Sequence, residues 1–259
     1  MSSRFDAAAR IASVLKGELE DGDVLVISSK YLAISEGRVV DIGAVVPGEE
    51  AKRLAAAYGV DPRLCELVVR ESDEVVGGIP GFLMASVRGL LTPNAGIDRS
   101  NVAPGKAVLY PRRPEAAARR VRDAVKFATG ADVGVVVCDS RLFPTRKGTT
   151  GVALAASGLE AILDLRGKKD LFGNVLKVTA EAVADDLCSA AELIMGESDE
   201  ATPVVVVRGL RRDLVKDVEY PPERFAIDVD DDLYLRSVGF RRGRNRLLGS
   251  RRRRGSDDL

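Results

Sequence analysis

The sequence contains no histidine. Without an imidazole there is no Ser-His-Asp triad, no Cys-His pair and no His-ligated zinc. A metal bound to this chain has to be held mainly by oxygen, which favours hard ions such as Mg²⁺ or Mn²⁺. Cysteine is scarce too. Cys65, Cys138 and Cys188 each sit in an apolar stretch and no pair has CxxC spacing, so they read as buried, reduced thiols of a cytosolic protein. No apolar run approaches the roughly 20 residues of a membrane span, and the opening Met1-Ser2-Ser3-Arg4-Phe5 lacks a signal-peptide apolar region. These absences point to the cytoplasm. A net charge is missing as well: 39 Lys and Arg balance 39 Asp and Glu, so no global field draws the chain to nucleic acid or membrane. The phosphate-binding pattern GxxxxGK followed by Ser or Thr is also absent, which excludes a P-loop.

What is present is a soluble globular composition. The 259 residues suffice for a well-buried core in one large domain or two modest ones. Apolar spacing predicts helices over 5–16, from Pro47 to about Tyr58 with Gly59 as terminator, over 62–70, over 114–127 and over 179–195. The last is the longest pattern, with Ala180, Val183, Leu187, Ala190, Ala191 and Ile194 along one side. Strands are expected over 24–27, at Val39 and Val40, over 82–87, 107–110, 133–138, 152–155 and 204–207, with a turn-rich stretch over 77–81. From Arg241 the chain changes character. Arg241, Arg242, Arg244, Arg246 and the run 251–254 have few apolar neighbours. This basic stretch, 241–259, reads as a disordered, solubilising tail, with contact to RNA or another polyanion as the alternative.

Three loops offer oxygen ligands after apolar segments. Asn94-Ala95-Gly96-Ile97-Asp98 is built to turn sharply. If Asp98 opens a helical turn, Asp98 and Asn101 project to one side; a simple capped turn is the alternative. Asp139-Ser140 follows the apolar run 133–138, where α/β proteins commonly place ligand-binding residues, and Arg146-Lys147-Gly148 downstream could meet phosphates. The third, Met195-Gly196-Glu197-Ser198-Asp199-Glu200-Ala201-Thr202, is acidic and flexible. In addition, Ser28-Ser29-Lys30 places hydroxyls and an ammonium after a strand.

In this order the loops resemble the F420-0:γ-glutamyl ligase family, from about Phe5 to Leu210. Asn94-Ala95-Gly96-Ile97-Asp98-Arg99-Ser100-Asn101-Val102 is similar to the family signature NAGIDxSNV. Asp139-Ser140 with Pro144 and Arg146-Lys147-Gly148, then Leu163-Asp164-Leu165-Arg166-Gly167 with Asp170 and Gly173, and the block ending Ala190-Ala191-Glu192-Leu193-Ile194-Met195-Gly196 follow its further motifs. The resemblance implies an α+β fold of mixed sheets with flanking helices and two intertwined subdomains. We expect a ligase domain over residues 1–240, with an inserted subdomain over about 111–195. It implies a cytoplasmic homodimer that joins L-glutamate to the deazaflavin precursor F420-0, and then a second through the γ-carboxyl, with GTP and two Mg²⁺ or Mn²⁺ ions; K⁺ is a further candidate ion. By motif, Asp98 and Asp139 would be catalytic and hold one metal, while Ser140 and Glu197 would help hold a second. Ser29, Lys30, Asn101, Met195, Gly196, Ser198, Asp199 and Thr202 would contact GTP.

The chain departs from the family pattern at several places. The family's opening strand with Gly-Ile-Pro or Gly-Leu-Pro precedes the point where this chain starts. Ile34 and Ser35 stand where a second lysine is expected, Phe143 where the family has Arg, Thr145 where it has an aromatic, and Arg112-Arg113-Pro114 where it has an acidic Asp-Pro. The metal set is therefore better matched than the nucleotide and substrate sets. Two rivals follow: a divergent ligase of the same fold acting on another carboxylate, and a non-catalytic binding protein.

Overall fold

The run Val24-Leu25-Val26-Ile27 has no polar interruption, and in the computed structural model, which describes residues 4–239, it is fully buried at the centre of a sheet. In chain order, helix α1 (Ala7–Val14) is capped by Asp6, whose carboxylate accepts the Ala9 amide. Strand β1 (Val24–Ser28) runs directly into α2 (Ser29–Ser35). After β2 (Val39–Asp41), α3 (Glu49–Tyr58) opens with Glu49 and Glu50 in its first turn and stops at Gly59, whose φ is 64°. Helix α4 (Pro62–Glu71) starts with proline at its first position behind the cap Asp61. Strands β3 (Glu74–Ile79), β4 (Phe82–Val87), β5 (Leu90–Pro93) and β6 (Lys106–Val108) follow. Then come α5 (Pro114–Thr129), β7 (Gly134–Leu142), β8 (Thr149–Leu159), β9 (Leu163–Asp164), β10 (Ala180–Glu181) and α6 (Val183–Met195). The described part closes with β11 (Val204–Val207), β12 (Val215–Tyr220) and α7 (Leu233–Ser237). The fold is α+β, as expected. The basic stretch from Arg241 lies outside the described residues.

The described residues form two compact units that interleave in sequence: 4–38 with 111–225, and 39–110 with 226–239. The first unit is built on a five-stranded sheet of order β11-β1-β7-β8-β12. Only the β1–β7 pair is parallel, with Val24 opposite Gly134 and Ser28 opposite Cys138. Side chains alternate across a sheet. Val24, Val26, Val136 and Cys138 therefore share one face, where they pack with Leu187, Cys188 and Ala191 of α6. Helix α5 packs against β7 and β8 and carries α1 against itself. Each fully buried valine of this sheet contributes about 1.5 kcal/mol or more relative to an exposed one. All three cysteines are free and buried.

The second unit holds the meander β3-β4-β5 and the antiparallel pair β2-β6. Leu54, Leu64, Cys65 and Val68 of α3 and α4 pack there with Leu83, Ala85, Ile97 and Leu109. Among the described residues no helix is long and apolar enough to cross a membrane.

Several expectations change. Gly77 and Gly78 lie inside β3, where the register shifts, and the turn is confined to Pro80-Gly81. Glycine here marks a bulge in a strand instead of ending it. The pattern over 179–195 divides: Ala180 and Glu181 pair with β9, and the helix begins only at Val183. At 13 residues it is shorter than α5, which has 16. Ala190 and Ile194 fall outside the buried stripe, which runs through Val183, Ala184, Leu187, Cys188, Ala191 and Met195.

Asp23 is the buried charge of the first unit. Its side chain is 1% exposed and accepts Arg208 Nε and Nη2, each at 2.8 Å, and the Glu20 amide at 2.8 Å. The Arg208 guanidinium holds the carboxyl below its ordinary 3.8. A depressed carboxylate contributes stability above its unfolded value, and that contribution is lost as pH falls through the folded value. Asp23→Asn therefore lowers the unfolding free energy at pH 7. The gap to wild type closes as pH falls below about 4, as chemical denaturation at a series of pH values would show. A gap that does not change with pH would contradict this pairing.

Candidate active site

Parallel pairing of β1 and β7 brings two distant segments to the same end of the sheet. One residue beyond the last pair, Ser28 with Cys138, come Ser29 and Asp139. Buried Ser29 opens α2, and its hydroxyl donates to Asp139 Oδ1 at 2.9 Å across 110 residues of sequence. Lys30 follows in the first turn of α2, half-buried. The expected strand over 133–138 does not end at Asp139. It continues to Leu142 as one arm of a hairpin, with Asp139 opposite Val152 and Ser140 opposite Gly151. Only the burial ends there: Asp139 is half-buried and Ser140 exposed. Residues 143–148 alone join the two strands.

Helix α6 brings the acidic loop to the hairpin. Gly151 is the seam, because a Cβ there would overlap the Cys188 carbonyl and stand 2.8 Å from the Ser189 nitrogen. Ser189 Oγ donates to the Gly151 carbonyl at 3.0 Å and shares a hydrogen bond with Thr150 at 2.8 Å. Beyond the helix, Thr149 donates to Glu197 Oε1 at 3.0 Å. The loop then folds on itself. Glu200 Oε2 accepts the Ser198 amide at 2.9 Å, Thr202 donates to the Glu200 carbonyl at 3.2 Å, and Gly196, at φ 70°, leaves no room for a Cβ beside the Glu200 carboxylate. Ser198 and Asp199 are exposed. Met195 is buried in the hydrophobic cluster of this unit.

Glu192 was not among the residues singled out from sequence. Burial pushes its carboxyl up to about 7, and the neighbouring charges of Glu197 and Asp139 push the same way. Its signal in the sequence was faint: a lone glutamate between Ala191 and the exposed Leu193, five residues before Glu197. Glu197 and Asp139 thus each lie close enough to Glu192 to disfavour its charged form. Among the described residues no three His, Cys, Asp or Glu side chains converge as a ready-made metal cage. The donor set nevertheless fits a hard divalent ion. Carboxylate and hydroxyl oxygens whose mutual repulsion a cation relieves are what Mg²⁺ takes, and it usually completes its shell with water and substrate phosphate.

The second unit carries the signature loop. Asn94, Ala95 and Gly96 have φ of 48°, 52° and 72°, three successive left-handed residues in one tight turn. Asn94 Oδ1 holds the turn by accepting the Leu83 amide at 3.0 Å, and Ala95 is buried. Asp98 bridges Val108 through both backbone groups. Its carboxylate accepts the Ser100 amide at 2.7 Å and the Ser100 hydroxyl at 2.9 Å. Asp98 therefore closes a turn on Ser100 and opens no helix, and Asn101 follows with φ 53°. The expected shared helical face of Asp98 and Asn101 does not form, because two carboxylate acceptors on Ser100 favour the local turn over a helical ladder.

A Cβ at Gly96 would overlap the Tyr110 ring at a left-handed φ. Gly96→Ala is expected to lower the unfolding free energy by about 2 kcal/mol, combining backbone strain and overpacking. Adding Tyr110→Ala should recover part of that loss in a double-mutant cycle. Strict additivity of the two changes would show that the ring is not the obstacle.

Residues 2–209 match the sequence pattern of the F420-0:gamma-glutamyl ligase family. The coenzyme F420:L-glutamate ligase of Methanopyrus kandleri is 42% identical over 210 residues, covering 81% of this chain and 82% of that protein. The enzyme of the same name from Methanocaldococcus jannaschii is 40% identical over 192 residues, covering 74% and 77%. That of Halobacterium salinarum is 41% identical over 209 residues, covering 78% and 80%. Matched along most of its length by the family pattern and by these enzymes, the chain belongs to the F420-0:gamma-glutamyl ligase family.

Proposed function

We propose that this protein joins L-glutamate to F420-0, and can add a second through the γ-carboxyl, at the expense of GTP and with Mg²⁺ or Mn²⁺. The observation that carries the reading is the Asp139 carboxylate held by Ser29 beside Glu192 and Glu197. A carboxylate is a poor electrophile toward an amine. In the reaction, the lactyl carboxylate of F420-0 attacks the γ-phosphorus of GTP, a new P–O bond forms, and GDP leaves. The amine of glutamate then attacks the acyl carbon, loses a proton, and inorganic phosphate departs with the C–O bond. Phosphoryl transfer of this kind depends on positioning and charge neutralisation, and needs no histidine.

Asp139, Ser140 and Glu197 would hold divalent ions, which when bound neutralise phosphate charge. Ser29 fixes the Asp139 carboxylate. Lys30 and the loop 195–202 bind the nucleotide, Gly196, Ser198, Asp199 and Thr202 among them. Asp98 and Asn101 belong to the same assignment, and Asp98→Asn is expected to lower turnover. A homodimer is the expected assembly, with K⁺ as a further candidate ion.

One observation favours a second reading. Ile34 stands one turn beyond Lys30 in α2, where the family has a second lysine. An acceptor other than F420-0, with the same chemistry, follows from that loss. Thermal unfolding tests the nucleotide part. GTP with Mg²⁺ at about 100 times its Kd stabilises by about 2.7 kcal/mol, which raises the midpoint by roughly 5–10 °C in a chain of this size. GTP with EDTA should give a much smaller rise. Stabilisation by GTP and Mg²⁺ but not by F420-0 would select the second reading, and no response to GTP would contradict both.

A further inference from the structure

The first unit contains a cavity of about 650 Å³ that shares none of the residues assigned above. Its rim carries four guanidinium groups, those of Arg4, Arg112, Arg113 and Arg120, against two carboxylates, Asp6 and Glu36. Both carboxylates are already engaged. Asp6 caps α1 by accepting the Ala9 amide at 3.1 Å and lies 3.6 Å from Arg120, and Glu36 accepts the Arg112 backbone amide at 3.0 Å. The Arg4 side chain lies over Gly37, where a Cβ would come within 2.8 Å of its Nε. The Arg113 and Arg120 side chains are 76% and 68% exposed; Arg113 Nε lies 3.4 Å from Glu115 Oε1, so a ligand would share that guanidinium with Glu115. Arg113 is also the cap of α5 and gives that helix no side-chain hydrogen bond. Phe5, Leu32 and Val121 with Ala116 and Ala117 add apolar lining.

We propose that this cavity is a second anion site that binds a phosphorylated small molecule carrying two or more linked phosphates. The volume lies in the range of small-molecule sites, about 300–1,000 Å³, and guanidinium forks match phosphate oxygens in pairs. With Glu115 counted beside Arg113, four guanidinium groups face three carboxylates; several guanidinium forks suit linked phosphates better than a single carboxylate, and the apolar part of the lining accepts the body to which the phosphates are attached. The site does not depend on the ligase reading.

Isothermal titration of the full-length protein with inorganic tripolyphosphate in metal-free buffer tests it. The wild type should bind, with an affinity that falls as salt rises. Arg112→Ala/Arg113→Ala should weaken binding at least about 10-fold, and Arg120→Gln should weaken it in the same direction, which gives a second readout should the double variant fail to fold. Lys16→Ala, an exposed charge outside both this cavity and the nucleotide site proposed above, should bind within about 3-fold of wild type. Orthophosphate should bind more weakly than tripolyphosphate. No binding by the wild type at about 1 mM, unchanged affinity in the arginine variants, or an equal loss on replacing Lys16 would each overturn the proposal.

Discussion

Asp139→Asn lowers ligation by at least about 10²-fold, on the order of 3 kcal/mol of transition-state stabilisation, while the fold persists. The substitution keeps an oxygen that can accept the Ser29 hydroxyl, so the hydrogen bond between α2 and β7 survives and only the charge is removed. Asp139 is half-buried at the point where β7 leaves the core, so no apolar packing is lost with it. Ser29→Ala is the complementary change. It keeps the charge and releases its orientation, and a partner of this kind is worth about 10–100-fold. The two substitutions should therefore be strongly non-additive, since orientation matters only while the charge is present. Thermal unfolding run beside the activity assay separates lost chemistry from lost structure. An Asp139→Asn protein with near-normal turnover would remove the carboxylate from the mechanism.

Gly151→Ala is expected to destabilise the protein by about 3 kcal/mol or more, at the upper end of overpacking effects. The added methyl meets backbone, the Cys188 carbonyl and the Ser189 nitrogen, and no rotamer change can relieve that. Helix α6 has to retreat, drawing Ala184, Leu187, Cys188 and Ala191 away from β8 and its neighbours. The midpoint should fall by roughly 6–12 °C. Gly148 provides the control. It has φ 93° and nothing within 4 Å of an added Cβ, so Gly148→Ala carries only the backbone term, about 1 kcal/mol. Equal effects at the two glycines would show that the seam between β8 and α6 is not close-packed. Because α6 carries Glu192 and leads into Glu197, ligation by Gly151→Ala should fall further than its stability alone accounts for.

The central sheet could be read from sequence because three of its strands are built on almost unbroken apolar runs: Val24 to Ile27, Val133 to Cys138 and Val204 to Val207 each lie wholly or mostly within a strand. What could not be read was what happens where apolar patterning stops. Ser29 to Ser35 is a seven-residue helix, too short for periodicity to show, so Ser28-Ser29-Lys30 was legible only as a polar triplet after a strand. Asp139 and Ser140 stay in a strand because β8 supplies pairing partners far along the chain, and hydropathy does not report hydrogen-bond ladders. The turn at Asp98 depended on Ser100 competing for its carboxylate, a choice that residue spacing leaves open. Glu192 was invisible because its character comes from burial and from two carboxylates brought near by folding. The motifs pointed to the loops, but the long-range contact between Ser29 and Asp139 appeared only in the fold.

The most direct measurement is an omission series. The purified protein is incubated with F420-0, L-glutamate, GTP and Mn²⁺, and glutamylated product and GDP are followed together by mass spectrometry and chromatography. The account predicts that both appear in the complete mixture, that neither appears when GTP or Mn²⁺ is left out, and that Asp139→Asn reduces both in parallel. A folded protein that forms neither product in the complete mixture, or that glutamylates F420-0 equally well without GTP, would contradict it.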